Sequence, residues 1–249
     1  MALLRGAVLA ALVCAASFAT ARAATVDLAK ECPGNLIKNG GFEEPNILDV
    51  EKYPKAPYNT YNSKWGWYIS IPGWSWNCLR TDWPQRVLEM QRGAVATAPE
   101  GMQNLELLPN ATGVACQTVD VQPGAKYKLS FMYGRLETYA WRDQYAGQFT
   151  KFETMMDALA RDGATPAPAE VNFSSGGAYP QTGKSGDRQG FEVLVTADTR
   201  KHASQWQKYE ASVTGPASGK LQLAFTTTSR PKECGSCGSL LDAICLQKA

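Results

Sequence analysis

Apolar and polar residues alternate with a period of two along several short segments of this chain, and glycine or proline bounds most of them. In the clearest segment, residues 126–133, every second residue is aromatic or aliphatic. This pattern is typical of an antiparallel strand with one buried face. The Pro123-Gly124 pair before it predicts a turn. Further strands are predicted near residues 86–90, 101–108, 114–121, 190–197, 206–213, 220–227 and 240–246, and the segment 35–45 begins as a strand that breaks at Gly40 and Gly41.

One segment departs from this alternation. Phe149, Phe152, Met156 and Leu159 recur at helical spacing, and Gly163 follows as a helix terminator. The sequence therefore predicts a helix near residues 147–162. Its apolar stripe is interpreted as a packing surface rather than a ligand site.

Many short strands, glycine- and proline-rich turns and one inserted helix predict an all-β protein, an antiparallel β-sandwich. The first and last strand candidates lie at opposite ends of the chain. A Greek-key or jelly-roll arrangement would make them neighbours. A hydrophobic fraction of 44% is sufficient for a packed core and excludes a disordered chain.

The N-terminus has the pattern of a secretory signal peptide, which we assign to residues 1–23. Arg5 is followed by the apolar segment 6–18, and Ala21-Arg22-Ala23 fits a cleavage site. The apolar segment is shorter than the roughly 20 residues that span a bilayer. We therefore expect a secreted protein without a membrane span, beginning with a short leader at residues 24–34 and located outside the cell or in a cell wall.

Cysteine usage agrees with export. Six cysteines remain after residue 23, and an even number in an oxidising compartment predicts three disulfides, with about 15 connectivities open. The C-x-x-C pair of Cys234 and Cys237 is interpreted as structural, and one of the two is expected to bond a distant cysteine. Two sequons, at Asn110 and Asn172, predict glycosylation. The remaining cysteines are Cys32, Cys78, Cys116 and Cys245.

The charge balance excludes other classes of protein. The chain has 25 Lys and Arg, 23 Asp and Glu and a single His. A nearly neutral chain has no electrostatic footprint for nucleic acid, and one His cannot form a poly-histidine metal centre.

Eight short motifs occur in a familiar order and resemble two related groups of proteins. They resemble the galactose-binding-like jelly rolls found in many carbohydrate-binding modules, and the secreted plant cell-wall proteins of the domain-of-unknown-function 642 family. The resemblance implies a single domain over residues 35–247, with an insertion at about 137–190. The motifs are residues 35–44, 71–74, 99–107, 116–119, 124–131, 206–209, 221–225 and 237–244.

The same resemblance implies a structural calcium ion between the first and last strands. Glu43, Glu44 and Asp242 stand at the matching positions. Calcium prefers several oxygen ligands, which carboxylates and backbone carbonyls supply. Alternatively, the two glutamates are exposed loop acids and Asp242 caps a turn.

Aromatic residues are concentrated between residues 65 and 83, where five of the seven tryptophans lie. Flat rings stack on the apolar faces of sugars, and neighbouring polar groups bind the hydroxyls. Trp74 is assigned to the core, and the other rings either bind a sugar or pack the sandwich. Trp65 and Trp67 share a face if their segment is a strand. The predicted carbohydrate-binding residues are Trp65, Trp67, Tyr68, Trp76, Arg80 and Trp83.

The predicted function is non-catalytic binding of a polysaccharide or of a glycan on a glycoprotein. The alternative is a structural wall or matrix protein that binds other proteins. A glycoside-active enzyme is the third class, and it would need a carboxylate pair such as Glu106 and Asp187. The sequence has no Gly-x-Ser-x-Gly motif, and its lone His202 lies in a polar stretch.

Overall fold

The computed structural model describes residues 26–49, 65–68, 70–79, 88–93, 97–107, 114–135, 155–164, 190–198, 206–227 and 239–249. This part of the chain contains ten strands and one short helix. In chain order they are α1 (Leu28–Glu31), β1 (Trp65–Tyr68), β2 (Leu88–Gln91), β3 (Asn104–Leu107), β4 (Val114–Asp120), β5 (Lys126–Arg135), β6 (Met155–Asp162), β7 (Glu192–Asp198), β8 (Gln207–Thr214), β9 (Lys220–Thr227) and β10 (Ser239–Lys248).

The strands form two sheets in which every described pairing is antiparallel. One sheet has six strands in the order β1-β2-β3-β10-β5-β8, and the other has four in the order β4-β9-β6-β7. Residues from both sheets share one core, and Trp74 packs between Phe42 and Phe225 there. The predicted antiparallel β-sandwich is therefore confirmed.

Alternation along the strands produces this core. In β5, Tyr127, Leu129, Phe131 and Tyr133 are buried in the core cluster, as the period-two pattern predicts. The turn predicted at Pro123-Gly124 precedes β5, and Gly124 has a φ of 72°, a conformation that glycine adopts without strain.

The helix predicted near residues 147–162 is wrong over residues 155–162, which form β6 at the interior of the four-stranded sheet, between β9 and β7. Both faces of β6 are buried. Met156 and Ala158 contribute to the main core, whereas Leu159 packs in a second apolar cluster on the other face. Apolar residues on both faces of a strand lose the period of two, so their spacing resembled that of a helix. Residues 147–154 lie outside the described ranges.

The strand predicted to begin at residue 35 and to break at the glycines is also wrong, because this segment forms turns, although it does lie beside β10. The Asn35 amide donates to the Ile244 carbonyl at 2.9 Å and accepts from the Leu246 N–H at 2.9 Å. The Ile244 N–H in turn donates to the Gly40 carbonyl at 2.9 Å. The two ends of the domain are thus neighbours, joined partly through a side chain that replaces strand pairing.

Two disulfides fix the connectivity that the sequence left open for four cysteines. Cys32, directly after α1, bonds Cys245 of β10, and Cys78 bonds Cys116 of β4. The first bond ties the leader to the sandwich, since it joins residues 213 positions apart.

Several sequence predictions lie outside the described residues. They are the signal peptide, the pairing of Cys234 and Cys237, the sequons at Asn110 and Asn172, and most of the 137–190 insertion. Among the helices that the structure does describe, none has the length and apolar character needed to cross a membrane.

Candidate functional site

A polar row crosses the outer face of the six-stranded sheet, on the side away from the core. Leu88 and Met90 of β2, and Leu105 and Leu107 of β3, face the core. The side chains that alternate with them therefore point outward. The register sets Trp67, Glu89, Glu106 and Leu240 opposite one another in one row, and Trp65, Gln91 and Asn104 in the next. We call the set Trp65, Trp67, Glu89, Gln91, Asn104 and Glu106 the outer-face site.

Two tryptophan rings form the outer edge of this site. Trp65 and Trp67 lie on the same face of β1, as expected for a strand, and their ring centroids are 5.9 Å apart with an interplanar angle of 49°. Both rings are half-buried. The Trp67 indole N–H donates to the Glu89 carboxylate, so this ring is held in place by the second strand. The pair offers apolar ring surface beside fixed polar groups.

Two carboxyl groups lie behind the rings. Glu89 and Glu106 are directly opposite on β2 and β3, and only 6% and 1% of their surfaces are exposed. Burial raises the pKa of Glu89 to about 7, although the hydrogen bonds from Trp67 and Glu106 act in the opposite direction. The Gln91 amide N–H group donates to both carboxyl groups and holds them together.

The site also contains buried amide atoms without partners. Asn104 is 1% exposed, and neither its Nδ2 nor its Oδ1 has a hydrogen-bond partner among the described residues. The same is true of Gln91 Oε1. A buried polar group without a partner costs about 1–3 kcal/mol, so such atoms are characteristic of places where a ligand or water binds.

The structure separates the residues that the sequence had grouped as carbohydrate-binding. Trp65 and Trp67 lie together, but Tyr68 is on the opposite face of β1, where it is 4% exposed and packs in the core. Trp76 packs against the core outside this sheet, and Arg80 and Trp83 lie outside the described residues. Trp74 is a core residue, as predicted, with 2% of its surface exposed.

Sequence reasoning missed the polar half of the site. It named Glu106 only as a catalytic candidate, paired with Asp187, which lies outside the described part of the chain. The signal was present as Glu-x-Gln in β2 and Asn-x-Glu in β3, one polar residue at every second position. Polar residues with this period ordinarily indicate a solvated face, whereas these are buried.

A second acidic cluster lies where the N-terminal segment meets β10. Asp242 is fully buried, and its two carboxylate oxygens accept from the N–H groups of Glu100 at 2.9 Å and Ala243 at 2.7 Å. Burial raises the pKa of Asp242 well above its ordinary value, and the nearby carboxylates of Glu100 and Glu43 raise it further. The Glu43 carboxylate accepts from the N–H groups of Met102 and Gln103, both at 2.7 Å.

This cluster differs from the predicted calcium ligands. Glu44 is exposed, and Glu100 takes its place beside Glu43 and Asp242. The donors are all oxygen, as calcium requires. Across the described ranges, however, no three His, Cys, Asp or Glu side chains are grouped closely enough to hold a metal ion as they stand.

The chain is similar to known proteins in structure but not in sequence. No protein-family model matches the chain, and no curated protein matches its sequence. Among solved structures it is similar to TmCBM61 in complex with β-1,4-galactotriose, with 10% identity, a TM-score of 0.38 and coverage of 86% of this chain and 99% of the other.

Two further solved structures are similar to the chain. One is the CBM22-1 xylan-binding domain of Paenibacillus barcinonensis Xyn10C, with 10% identity, a TM-score of 0.30 and coverage of 75% and 86%. The other is the enzymatically active domain of bacteriophage CBA120 tailspike protein 4, with 12% identity, a TM-score of 0.34 and coverage of 86% and 21%.

The structural neighbours therefore include carbohydrate-binding modules with a β-sandwich fold. At these identities the likeness concerns the fold alone, and TM-scores this low carry no conclusion about what the chain binds.

Proposed function

We propose that this chain is a secreted, non-catalytic carbohydrate-binding protein of the cell wall or extracellular matrix, and that a polysaccharide or glycoprotein glycan binds at the outer-face site. The observation that carries the proposal is Asn104, a buried amide without a partner in the described structure, on the same sheet face as the ring pair of Trp65 and Trp67.

Each part of the site has a role that sugar chemistry requires. The apolar face of a pyranose stacks on an indole ring, and its hydroxyl groups both donate and accept hydrogen bonds. Asn104 offers an NH2 donor group and a carbonyl acceptor, which suits two neighbouring hydroxyl groups. Glu89 and Glu106 add acceptors, and Gln91 holds them in a fixed position.

The carboxyl pair supports a binding role rather than catalysis. Glycosidases place their two carboxyl groups about 5 Å or more apart, so that the sugar or a water molecule fits between them. Glu89 and Glu106 instead lie directly opposite each other on neighbouring strands, and the Gln91 amide nitrogen donates to both carboxyl groups. A protein-binding wall component remains the alternative, and it would not require the outer-face site.

The test is a glycan array followed by titration calorimetry on the purified mature protein. We expect affinities between micromolar and millimolar, about −8 to −4 kcal/mol, together with a shift in tryptophan fluorescence. Trp67→Ala should weaken binding about tenfold or more, since stacking and the anchor to Glu89 are both lost. Trp76→Ala is the matched control, because that ring packs outside the six-stranded sheet, and it should leave affinity unchanged.

Two results would contradict the proposal. One is a folded protein that binds no glycan on a broad array and no wall polysaccharide in a pull-down. The other is release of reducing sugar from a bound polysaccharide, which would make the protein an enzyme.

We also propose that the acidic cluster of Glu43, Glu100 and Asp242 binds a structural calcium ion. The proposal is supported by the pKa values of Asp242 and Glu100, which burial raises first and the carboxylate of Glu43 raises further, because a divalent cation placed here would relieve this repulsion. Chelation should lower the melting temperature and calcium should restore it, whereas Asp242→Asn should abolish this response. An unchanged melt on chelation, with no metal found by elemental analysis, would refute it.

A further inference from the structure

A second polar row crosses the outer face of the four-stranded sheet. Ala160 of β6 and Leu223 of β9 lie in the core, so the residues that alternate with them face outward. The register sets Arg161 of β6 opposite Gln222 of β9, and Gln222 opposite Thr118 of β4. We call Arg161, Gln222 and Thr118 the arginine row.

The hydrogen bonds along the arginine row run in one direction. Arg161 Nε donates to Gln222 Oε1 at 2.7 Å, and Gln222 Nε2 donates to the Thr118 hydroxyl oxygen at 3.1 Å. Because a guanidinium group only donates, the amide oxygen must face it and the amide nitrogen must face the threonine. The Thr118 oxygen accepts this bond, so its own hydrogen is left to donate to a further group.

Arg161 is a buried cation without a counter-charge. Only 7% of its surface is exposed. Among the described residues, its Nη2 has no hydrogen-bond partner, and no Asp or Glu forms an ion pair with it. Acids that share this face of the sheet bond to other groups: Asp120 pairs with Lys220, and Asp157 accepts from the Thr196 hydroxyl at 2.6 Å.

The Phe191 ring, directly before β7, holds the guanidinium group from one side. The Arg161 Cζ lies 4.3 Å from the ring centroid, and the ring also packs in the second apolar cluster. This cation–π contact offsets part of the cost of burying the charge. It also occupies one face of the planar group, so an anion would have to meet the guanidinium at its edge, where Nη2 is free.

We propose that the arginine row is a second ligand site, which binds one oxyanion group, a carboxylate or a sulfate, of an acidic glycan. The anion pairs with the Nη2 edge of Arg161, and the Thr118 hydroxyl donates to the same sugar unit. This site goes beyond the proposed function, since it lies on the other sheet from the outer-face site. Only the choice of a glycan as the carrier of the anion rests on that function.

The chemistry of the row selects a single anion. Its free groups are donors, and a carboxylate or sulfate oxygen is an acceptor that also supplies the missing charge. A neutral sugar would leave the buried cation unpaired, and an amino sugar would place a second positive charge beside it. Nucleic acids fit poorly, because they are bound through several Lys and Arg side chains and the row has one.

The row is reachable from the side of β4. Thr118 is exposed and Gln222 is half-buried, whereas Arg161 lies at the buried end. A charge pair formed at a buried guanidinium is stronger than one formed in water, because the local dielectric constant is lower.

The experiment is titration calorimetry on the mature protein with three oligosaccharides of equal length. They are oligomers of galactose, of galacturonic acid and of sulfated galactose, which share the ring configuration and differ in charge. We expect at least one acidic oligomer to bind about tenfold or more tighter than the neutral one. The comparison of the two acidic oligomers distinguishes a carboxylate from a sulfate as the source of the anion.

Variants locate the effect. Arg161→Gln removes the charge and should reduce the ratio of acidic to neutral affinity to within about threefold. Thr118→Val keeps the shape of an exposed side chain and removes its donor, so it should weaken acidic binding about two- to tenfold. Lys208→Gln is the matched control, because it removes the same charge from an exposed position on the other sheet and should leave the ratio unchanged. Circular dichroism verifies that each variant is folded.

The outcomes separate this inference from the proposed function. If the neutral oligomer binds as tightly as both acidic ones, or if folded Arg161→Gln keeps the preference, the inference is overturned while carbohydrate binding stands. If acidic binding depends on Arg161 but Trp67→Ala leaves neutral binding unchanged, the inference stands and the outer-face site is overturned. If no oligomer or arrayed glycan binds, both are overturned. The wild-type and Thr118→Val measurements decide this even if Arg161→Gln fails to fold.

Discussion

Removal of the Trp74 side chain should destabilise the sandwich more than removal of any half-buried tryptophan. Only 2% of Trp74 is exposed, and its ring lies 5.3 Å from that of Phe42 and 6.0 Å from that of Phe225. Its indole N–H also donates to the Asn39 carbonyl at 3.0 Å. The ring thus joins the N-terminal segment to β9 and contributes both packing and a hydrogen bond.

The magnitude follows from these contacts. Replacing a buried tryptophan by alanine costs about 3–5 kcal/mol, because transfer free energy is lost and a cavity remains. For a domain of this size, each kcal/mol lowers the melting temperature by about 2–4 °C, so Trp74→Ala should lower it by about 6–20 °C.

The assay is urea unfolding followed by far-ultraviolet circular dichroism, which does not depend on the tryptophan that is removed. Trp65→Ala is the control, because this ring is half-buried on the outer face and should cost no more than about 2 kcal/mol. A loss below about 1.5 kcal/mol for Trp74→Ala, or an equal loss for both variants, would refute the assignment of Trp74 to the core.

Three further predictions concern stability. Removing the Cys32 disulfide should destabilise the fold by about 1–2 kcal/mol more than removing the Cys78 disulfide, because the entropy that a disulfide removes from the unfolded chain grows with loop length, and the bonds span 213 and 38 residues. Urea unfolding midpoints of the two variants measure the difference, and equal losses of stability would contradict this prediction. Gly40→Ala should lower the stability to thermal unfolding by about 1–3 kcal/mol, because a Cβ at this position would lie 2.2 Å from the Ile244 carbonyl oxygen. An unchanged stability would contradict the close contact between the N-terminal segment and β10. The pKa of Glu89 is about 7 in the folded protein against an ordinary 4.5, so its contribution to stability is complete below about pH 4.5 and is lost as pH rises through 7. The free energy of unfolding, measured between pH 5 and 8, should show this decline, and Glu89→Gln should make the decline smaller.

The sequence predicted much of the fold because several strands alternate between buried and exposed residues, and turn residues bound them. Segments such as 126–133 and 220–227 alternate clearly, and they became β5 and β9 nearly as predicted. Where a strand is buried on both faces the alternation disappears, and β6 was consequently mistaken for a helix.

The candidate site was predicted only in part, for a related reason. Trp65 and Trp67 were recognisable because aromatic residues spaced by two on a strand share a face. Glu89 and Glu106 lie 17 positions apart in the sequence, and no local pattern states that β2 and β3 pair in a register that sets them opposite each other. Register depends on which faces pack in the core, and that is a property of the assembled sheet.

The sequence by itself determined the antiparallel sandwich, the core position of Trp74 and the common face of the two tryptophans, because each follows from local periodicity or from side-chain size. Only the tertiary structure decided that Cys32 bonds Cys245, that Glu100 replaces Glu44 in the acidic cluster, and that Glu89 and Glu106 lie opposite each other on neighbouring strands. These features depend on contacts between distant segments and on burial, which withdraws a carboxyl group from water and so changes its chemistry.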